Sequence, residues 1–553
     1  MSENETGSHQ VALDEQEGTE MLLRHPQEHE EEHKRDREEE HEVSERKTRE
    51  RSYELTVQYA INKIRRILDD GHETFDTVKL RSYNGKLVGP TIEARPGDTL
   101  RIRLKNKLPF KPELVGGHPH NGPHGFNVTN LHFHGLHVSP AGNSDNVLVE
   151  VGPNQEFEYE VKIPLDHPPG THWYHAHKHG ATGIQLGSGM AGPLIIRGGL
   201  DDIDEIHDAK ERLLVIQQIP YQEMTDPYDN TQKANMVEDF SQLFEFIWQT
   251  QMVPQGRRVT LNGETLPTFR LQPGEVEYWR FIHAGIHFPV RLRLIREGAN
   301  PATESIPYYL LANDGITTGR LDKVEVVELQ PGYRADILVQ GVGRDGKPLP
   351  KGNYLLIDEF EQNPKARVLA RVDVDGSTKK MKLPKVQELA KLAPFKPITD
   401  DELTSKTPQL AKFEVQMVQP LPNPVFKFLI NGKEFDPHAP PRILTLGAVE
   451  EWLVSSVGEG QVAEFFPGHP FHIHTNPFQF TDEQGRIIWK DTLFVPVGKE
   501  FRLRTRYERY IGRFVIHCHI VSHEDEGMME LMELVPPKPD AGGPPDDGHG
   551  PHH

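Results

Sequence analysis

Cysteine is almost absent: one residue, Cys518, in a chain of 553. That excludes intramolecular disulfides, cysteine-rich zinc modules and iron–sulfur clusters held by several thiolates, so any role for Cys518 must need a single sulfur. Long apolar runs are missing too. None approaches the roughly 18 residues of a membrane helix, and the N-terminus lacks a basic region followed by an apolar core and a small-residue cleavage site. As written, the chain reads as cytoplasmic, or as exported if a signal has been removed from it. A basic excess is also absent. The formal charge of −21 argues against nucleic-acid and anionic-membrane partners, because both reward a basic face. Helical periodicity is scarce outside the N-terminal arm and short pieces such as DEIHDAKERL.

What is present begins with an acidic arm. Residues 1–50 hold 17 Asp and Glu against 7 Lys and Arg, and the stretch HEEEHKRDREEEHE has no apolar face to bury. Residues 1–51 are therefore expected to be a disordered extension or a solvated helix. At the other end, 537–553 is too rich in Pro, Gly and Asp to pack and is expected to be a flexible tail.

Between these ends one pattern occurs three times. Asn84-Gly85 precedes GPTIEARPGDTLRIRLKN, Asn262-Gly263 precedes PTFRLQPGEVEYWRFIHA, and Asn431-Gly432 precedes RILTLGAVEEWLVSS. Each is a tight-turn signal, a strand-like run, a turn glycine (Gly97, Gly274, Gly447) and a second alternating run. The glycines lie 177 and 173 residues apart, so three β-sandwich domains of similar size are expected. Their boundaries fall at 52–200, 201–384 and 385–536.

Most histidines able to act together sit in four stretches: LHFHGLH (131–137), HWYHAHKHG (172–180), HPFHIH (469–474) and HCHIVSH (517–523). Two belong to the first repeat and two to the last. In an extended segment residues i and i+2 share a face while i+1 takes the other. His517 and His519 thus point one way and Cys518 the other, which makes this backbone a short bridge between two metal centres. One thiolate, two imidazoles and a weak axial thioether form the ligand set of a blue-copper electron-transfer site. Cys518, His469, His523 and Met528 are the candidates. His132, His134, His175, His177, His472, His474, His517 and His519 remain as pairs, and all-imidazole ligation also suits copper.

Those motifs, HFHG, HAH, HPFHIH and HCHIVSHEDEGM in this order, resemble the three-domain multicopper oxidases, the group of laccases, bilirubin oxidases and bacterial cuprous oxidases. The resemblance spans about 52–536 and implies cupredoxin-like Greek-key sandwiches, all-β, with the last domain carrying the type 1 copper. It implies four copper ions. His132 and His472 would hold type 2; His134, His175, His177, His474, His517 and His519 would hold the type 3 pair; His469, Cys518, His523 and axial Met528 would hold type 1. The implied reaction is one-electron oxidation of phenols or aromatic amines at type 1, with electrons passing through Cys518 to a cluster that reduces dioxygen to water. Its partners would be dioxygen and a small reducing substrate, and a monomer is expected. Dioxygen cleavage consumes protons, which a nearby carboxylate could donate. Glu524 and Asp145 occupy positions where relatives carry such acids.

Alternative readings within the same motifs are a cuprous or other metal oxidase and a bilirubin oxidase. A metal oxidase of this kind goes with a methionine-rich cover over type 1, whereas the 11 methionines here are scattered apart from Met528, Met529 and Met532. A copper nitrite reductase does not need the full histidine set, and a copper-holding structural protein would have lost ligands. His137, His172 and His179 flank the clusters and are expected to pack or hydrogen-bond behind them. His118, His120 and His124 are expected in an exposed loop.

Overall fold

The structure, a computed structural model, describes residues 49–67, 72–110, 121–239, 259–364, 366–420 and 425–538. The extension expected over 1–51 lies outside the described residues up to 48, and the tail expected over 537–553 lies outside them from 539. Among the described residues no helix is long and apolar enough to cross a membrane.

The three Asn-Gly turns organise the chain. Asn and Gly both take positive φ in each, at 53° and 79° (Asn84-Gly85), 54° and 79° (Asn262-Gly263) and 53° and 73° (Asn431-Gly432), as a two-residue hairpin turn requires. The asparagines add something glycine cannot. Their Oδ1 atoms accept from the backbone N–H of Thr56, Val215 and Lys412 at 2.7, 2.8 and 3.0 Å. Their Nδ2 atoms donate to the carbonyls of Glu54, Leu213 and Leu410 at 3.1, 2.6 and 3.0 Å. Each amide therefore ties its turn to the first strand of its own repeat.

That first strand lies parallel to the second alternating run of the repeat: Glu50–Ile67 beside Thr99–Asn106, Lys210–Gln218 beside Val276–His283, and Gln409–Gln419 beside Val449–Val457. A tight turn cannot join parallel neighbours. The chain instead crosses to the opposite sheet, through Ile92–Ala94, Thr268–Leu271 or Arg442–Thr445, before returning. Among the described residues three sandwiches result, built of six strands over four, six over six and six over five. Alternation accounts for their stability. Leu100, Ile102 and Leu104 are fully buried, each contributing ~1.5–3 kcal/mol. Arg101 and Lys105 point outward to Glu50, Glu160 and Glu54, in exposed surface pairs that solvent screens. The inner face decides.

Two features bring the sandwiches together. A hairpin, Gln222–Asp226 and Asp229–Met236, falls within 201–384 in sequence yet joins the first sandwich's sheet beside Glu73–Tyr83. A further apolar cluster draws Trp173 and Ile184 from the first sandwich, Val215, Ile282 and Ile286 from the middle one, and Val521 from the last.

Candidate metal centre

The last sandwich builds the first centre from two neighbouring strands, Gly468–Ile473 and Gly512–Cys518. Their register sets Phe471 opposite Cys518 and His472 opposite His517. Alternation along Gly468–Ile473 then puts His469 and Phe471 on the core face and His472 on the other, so the three-residue step in HPFHIH sends its first and second histidines to opposite sides. On the core face Cys518 Sγ lies 3.5 Å from His469 Nδ1 and 3.7 Å from His523 Nδ1, and the two nitrogens are 3.2 Å apart. His523 comes from the short helix Val521–Asp525. Met528 is buried in the same core, and its backbone N–H donates to His523 O at 2.8 Å while its carbonyl accepts from Cys518 N at 3.0 Å.

The opposite face meets the first sandwich. There the strand His132–His134 pairs with Gly170–His175, setting His132 opposite His175. Eight imidazoles, two from each stretch, fill one buried volume between the sandwiches. His132 stacks on His474 at 3.8 Å and His134 on His472 at 3.9 Å, both within 8° of parallel. The Nε2 atoms of His177 and His474 lie 3.2 and 3.1 Å from His517 Nε2. His134 Nδ1 lies 3.2 Å from His519 Nε2. The inner nitrogens thus face one another, and His132 Nε2, His175 Nε2 and His472 Nε2 have no hydrogen-bond partner.

The outer nitrogens of five rings are held, while His519 Nδ1 is without a partner. His132 Nδ1 meets Asp145 Oδ1 at 3.0 Å, His134 Nε2 meets Asp491 Oδ1 at 3.2 Å, and His175, His472 and His517 present Nδ1 to backbone carbonyls at 2.9, 2.9 and 3.0 Å. Partners of this kind fix ring orientation in metal sites. Burial holds the rings neutral, pushing His472 down to about 4 and His177 and His469 to about 3, and neutral imidazole is the metal-binding form. Burial also pushes the Cys518 thiol well up, so a bound cation is what would displace its proton. Orphaned inner nitrogens, a neutral ring set and one convergent sulfur fit copper chemistry.

The acids lie close by. Glu524 Oε1 is 3.4 Å from His177 Nδ1, and its Oε2 is 3.3 Å from His517 Nδ1. Asp145 also accepts from Phe133 N at 2.9 Å. Burial raises both carboxyls, Asp145 to about 8 and Glu524 well above its usual range. Three contributors escaped the sequence reading. Asp491 and Arg334 sit in strand-like runs without a histidine. Asp525, next to Glu524, accepts from the backbone N–H of Gly180, Thr182 and Gly183 at 2.6, 3.3 and 2.8 Å and so pins the HAHKHG loop. The HED tripeptide was the available signal.

The flanking histidines do not join the clusters. His137 N donates to His167 Nε2 at 3.0 Å, His179 Nε2 meets Asn121 Oδ1 at 3.2 Å, and His172 is buried beside Gly135 and Gly315. His124 is half-buried against His179 rather than exposed, because Gly180 leaves room for its ring; a Cβ there would lie 2.2 Å from His124 Nδ1. His118 and His120 lie outside the described residues.

Comparison with known proteins agrees with this geometry. Two family models, both described as "Multicopper oxidase", match residues 124–200 and 397–537 and take in all four histidine stretches. The chain carries two multicopper oxidase domains. A "Laccase" of Bacillus stratosphericus is 25% identical over 88% of this chain and 95% of that one. Among solved structures, a multi-copper oxidase from Pediococcus acidilactici superposes with a TM-score of 0.65 at 22% identity over 88% of each chain. "Multicopper oxidase from Campylobacter jejuni: a metallo-oxidase" superposes at 0.59 and 23%, over 87% of this chain and 91% of that one. These likenesses show cupredoxin-like sandwiches, as expected. This multicopper oxidase is a copper-dependent oxidoreductase that uses dioxygen and a reducing substrate.

Proposed function

We propose that the oxidase is laccase-like, taking electrons singly from phenols or aromatic amines and reducing dioxygen to water. In this reading His469, Cys518, His523 and Met528 hold a type 1 copper. His132 and His472 hold type 2, and His134, His175 and His519 with His177, His474 and His517 hold the two type 3 ions. Bound copper would supply one-electron transfer at the sulfur and dioxygen reduction among the imidazoles. The observation that carries the reading is the position of Cys518, whose sulfur converges with His469 and His523 while its chain neighbours His517 and His519 enter the eight-imidazole cluster.

The chain's own residues account for the rest. His517 and His519 give two short covalent routes from the sulfur. Glu524 would hold a proton beside His177 and His517, and Asp145 one beside His132. Donor choice is supported by what packs on His523: Phe428 stacks on it at 4.3 Å, and Phe466 and His287 stand edge-on at 5.2 and 5.7 Å. These rings are almost fully buried, and an apolar setting of this kind suits an aromatic donor better than a hydrated metal ion. A monomer is sufficient, since every proposed ligand lies in one chain.

The test is steady-state oxygen consumption by copper-loaded protein against a phenol, an aromatic amine, bilirubin and Cu(I), with Cys518→Ser as control. Phenol and amine should support turnover well above Cu(I), and the Ser variant should be inactive. Normal turnover in Cys518→Ser would end the proposed electron route, and a strong preference for Cu(I) would replace the laccase reading by a metal-oxidase one.

A further inference from the structure

The middle sandwich contributes none of the proposed ligands, yet it reaches the eight-histidine cluster, through Gly332 against His519 and through Arg334. The turn Asp314-Gly315, between strands Tyr308–Asn313 and Ile316–Val324, enters beside the first sandwich's Gly170–His175. There a Cβ at Gly170 would lie 1.8 Å from Gly315 O. Arg334, the first residue of Arg334–Gln340, follows it into the same gap.

Arg334 is 1% exposed, and its guanidinium is fully used. Nε donates to Thr171 O of the first sandwich at 3.2 Å. Nη1 donates to Gly332 O at 3.1 Å and to Asp491 Oδ1 at 2.8 Å. Nη2 donates to Asp314 O at 2.7 Å and to Asp491 Oδ2 at 2.5 Å. Asp491 belongs to the last sandwich. Its Oδ1 also accepts from Thr492 Oγ1 at 2.8 Å and lies 3.2 Å from His134 Nε2, while its backbone carbonyl lies 2.9 Å from His472 Nδ1. One aspartate therefore holds the outer nitrogens of an imidazole from each ligand-bearing sandwich, and those two rings are the pair stacked at 3.9 Å. The dyad packs directly against the HFHG turn. A Cβ at Gly135, in the HFHG turn, would lie 2.2 Å from Arg334 Nη2 and 2.8 Å from Asp491 Oδ2.

We propose that Arg334 is a positioning residue for the copper cluster: through Asp491 it fixes His134 and His472 against each other, so that a sandwich without ligands sets how tightly the cluster retains metal. The inference rests on the reading of His134 and His472 as ligands. A two-pronged guanidinium–carboxylate pair fixes direction as well as distance, which a lysine point charge does not. The dyad is also almost fully buried, Arg334 at 1% and Asp491 at 4% exposed.

The test uses copper-loaded full-length protein carrying Arg334→Met, Arg334→Lys, Asp491→Asn or the Met/Asn double change. The readouts are copper per chain, the type 2 paramagnetic signal, the visible band of the Cys518–copper bond, and metal retention against a chelator. Arg334→Met should keep the visible band, lose most of the type 2 signal and retain cluster copper ~10–100-fold less well, the usual scale for a lost outer partner. Arg334→Lys should recover part of that loss. The double variant should be no worse than its more affected single parent, because both act on one contact. If Arg334→Met fails to fold, the near-isosteric Asp491→Asn carries the test with the same expected loss.

Arg280→Gln is the control. Arg280 joins the same region through Asp201, Glu211, Asp336 and Thr171 without touching a proposed ligand, so it should lower stability and leave the ratio of type 2 to type 1 signal unchanged. If Arg334→Met loses both signals in parallel, as a general destabilisation would, or keeps the wild-type type 2 signal, the inference is overturned. A wild-type protein with the visible band and no type 2 signal overturns the ligand reading and takes this inference with it.

Discussion

Replacing Asp145 by asparagine and, separately, by alanine divides the two tasks its carboxyl performs. The side chain is 2% exposed, and its Oδ1 accepts from Phe133 N at 2.9 Å and faces His132 Nδ1 at 3.0 Å. Asparagine keeps that acceptor and the shape but has no acid proton. Alanine leaves two buried donors unsatisfied, at ~1–3 kcal/mol each, so ~2–6 kcal/mol is the expected penalty for the site. Asp145→Asn should therefore keep its copper and lose turnover, because a positioned acid contributes ~10²–10⁴-fold to a proton-transfer step; a fall of at least ~10-fold is expected. Asp145→Ala should also retain type 2 copper ~10–100-fold less well. Stopped-flow mixing separates the steps. Anaerobic reduction of the Cys518–copper band by a phenol should run at the wild-type rate in Asp145→Asn, while reoxidation by dioxygen slows. Equal copper loss in both variants would mean that the carboxyl only holds His132, and unchanged reoxidation in Asp145→Asn would remove it from proton supply.

Further consequences are open to measurement. Asn262→Gly keeps the positive φ and removes two hydrogen bonds, so denaturant unfolding should show ~1–3 kcal/mol of lost stability; a change under ~0.5 kcal/mol would mean the amide clamp is idle. Asp525→Ala strips a partner from three backbone donors and should cost about 3 kcal/mol or more, with proteolysis of the HAHKHG loop as a second readout. Copper-free protein should be most stable between about pH 6 and 7. Burial holds His177 and His469 near about 3 and His472 near about 4 in the folded state, so the unfolded chain binds more protons and stability rises with pH until unfolded histidine has titrated. Asp145 and Glu526, both raised to about 8 by burial, act in the opposite sense. The folded state keeps their protons, so their contribution is complete below the unfolded value and is lost as pH rises through about 8. Stability that climbed steadily from pH 6 to 8 would contradict these assignments.

The sandwiches were legible because their signals are local. An Asn-Gly turn and a run such as Leu100, Ile102 and Leu104 need no distant partner to be read, and three copies made the domain count plain. The twelve proposed ligands were legible for a similar reason: each stretch spans a few residues, and alternation sorts its members onto faces. Arg334 and Asp491 were not, because neither differs in its sequence surroundings from an ordinary strand residue. Their meaning comes from a contact across 157 positions of chain, between sandwiches whose relative placement no local rule supplies. The same reason explains the hairpin Gln222–Met236 joining the first sheet and the burial of His124. The Asn amide clamps lie between these cases. The turn was readable and the side-chain bonds were not, since the receiving strand lies 28 residues earlier at Asn84 and 47 earlier at Asn262.

Why a single cysteine suffices follows from the register at the end of Gly512–Cys518. Cys518 lies opposite Phe471 and His517 opposite His472, so the sulfur faces the core of the last sandwich and the neighbouring ring faces the first one. A slip of one residue would exchange the two faces, sending Phe514, Ile516 and the sulfur toward the imidazole cluster and His517 into the apolar core of the last sandwich. Two strands resist that slip: His517 is also paired with Met529 on the other side, and Cys518 N donates to Met528 O. The segment that would supply the axial sulfur thus also fixes the register that aims the thiol. Inserting one alanine between Ile516 and His517 should therefore abolish the visible copper band and the type 2 signal together. An insertion variant that kept either signal would show that the strand register does not set the two faces.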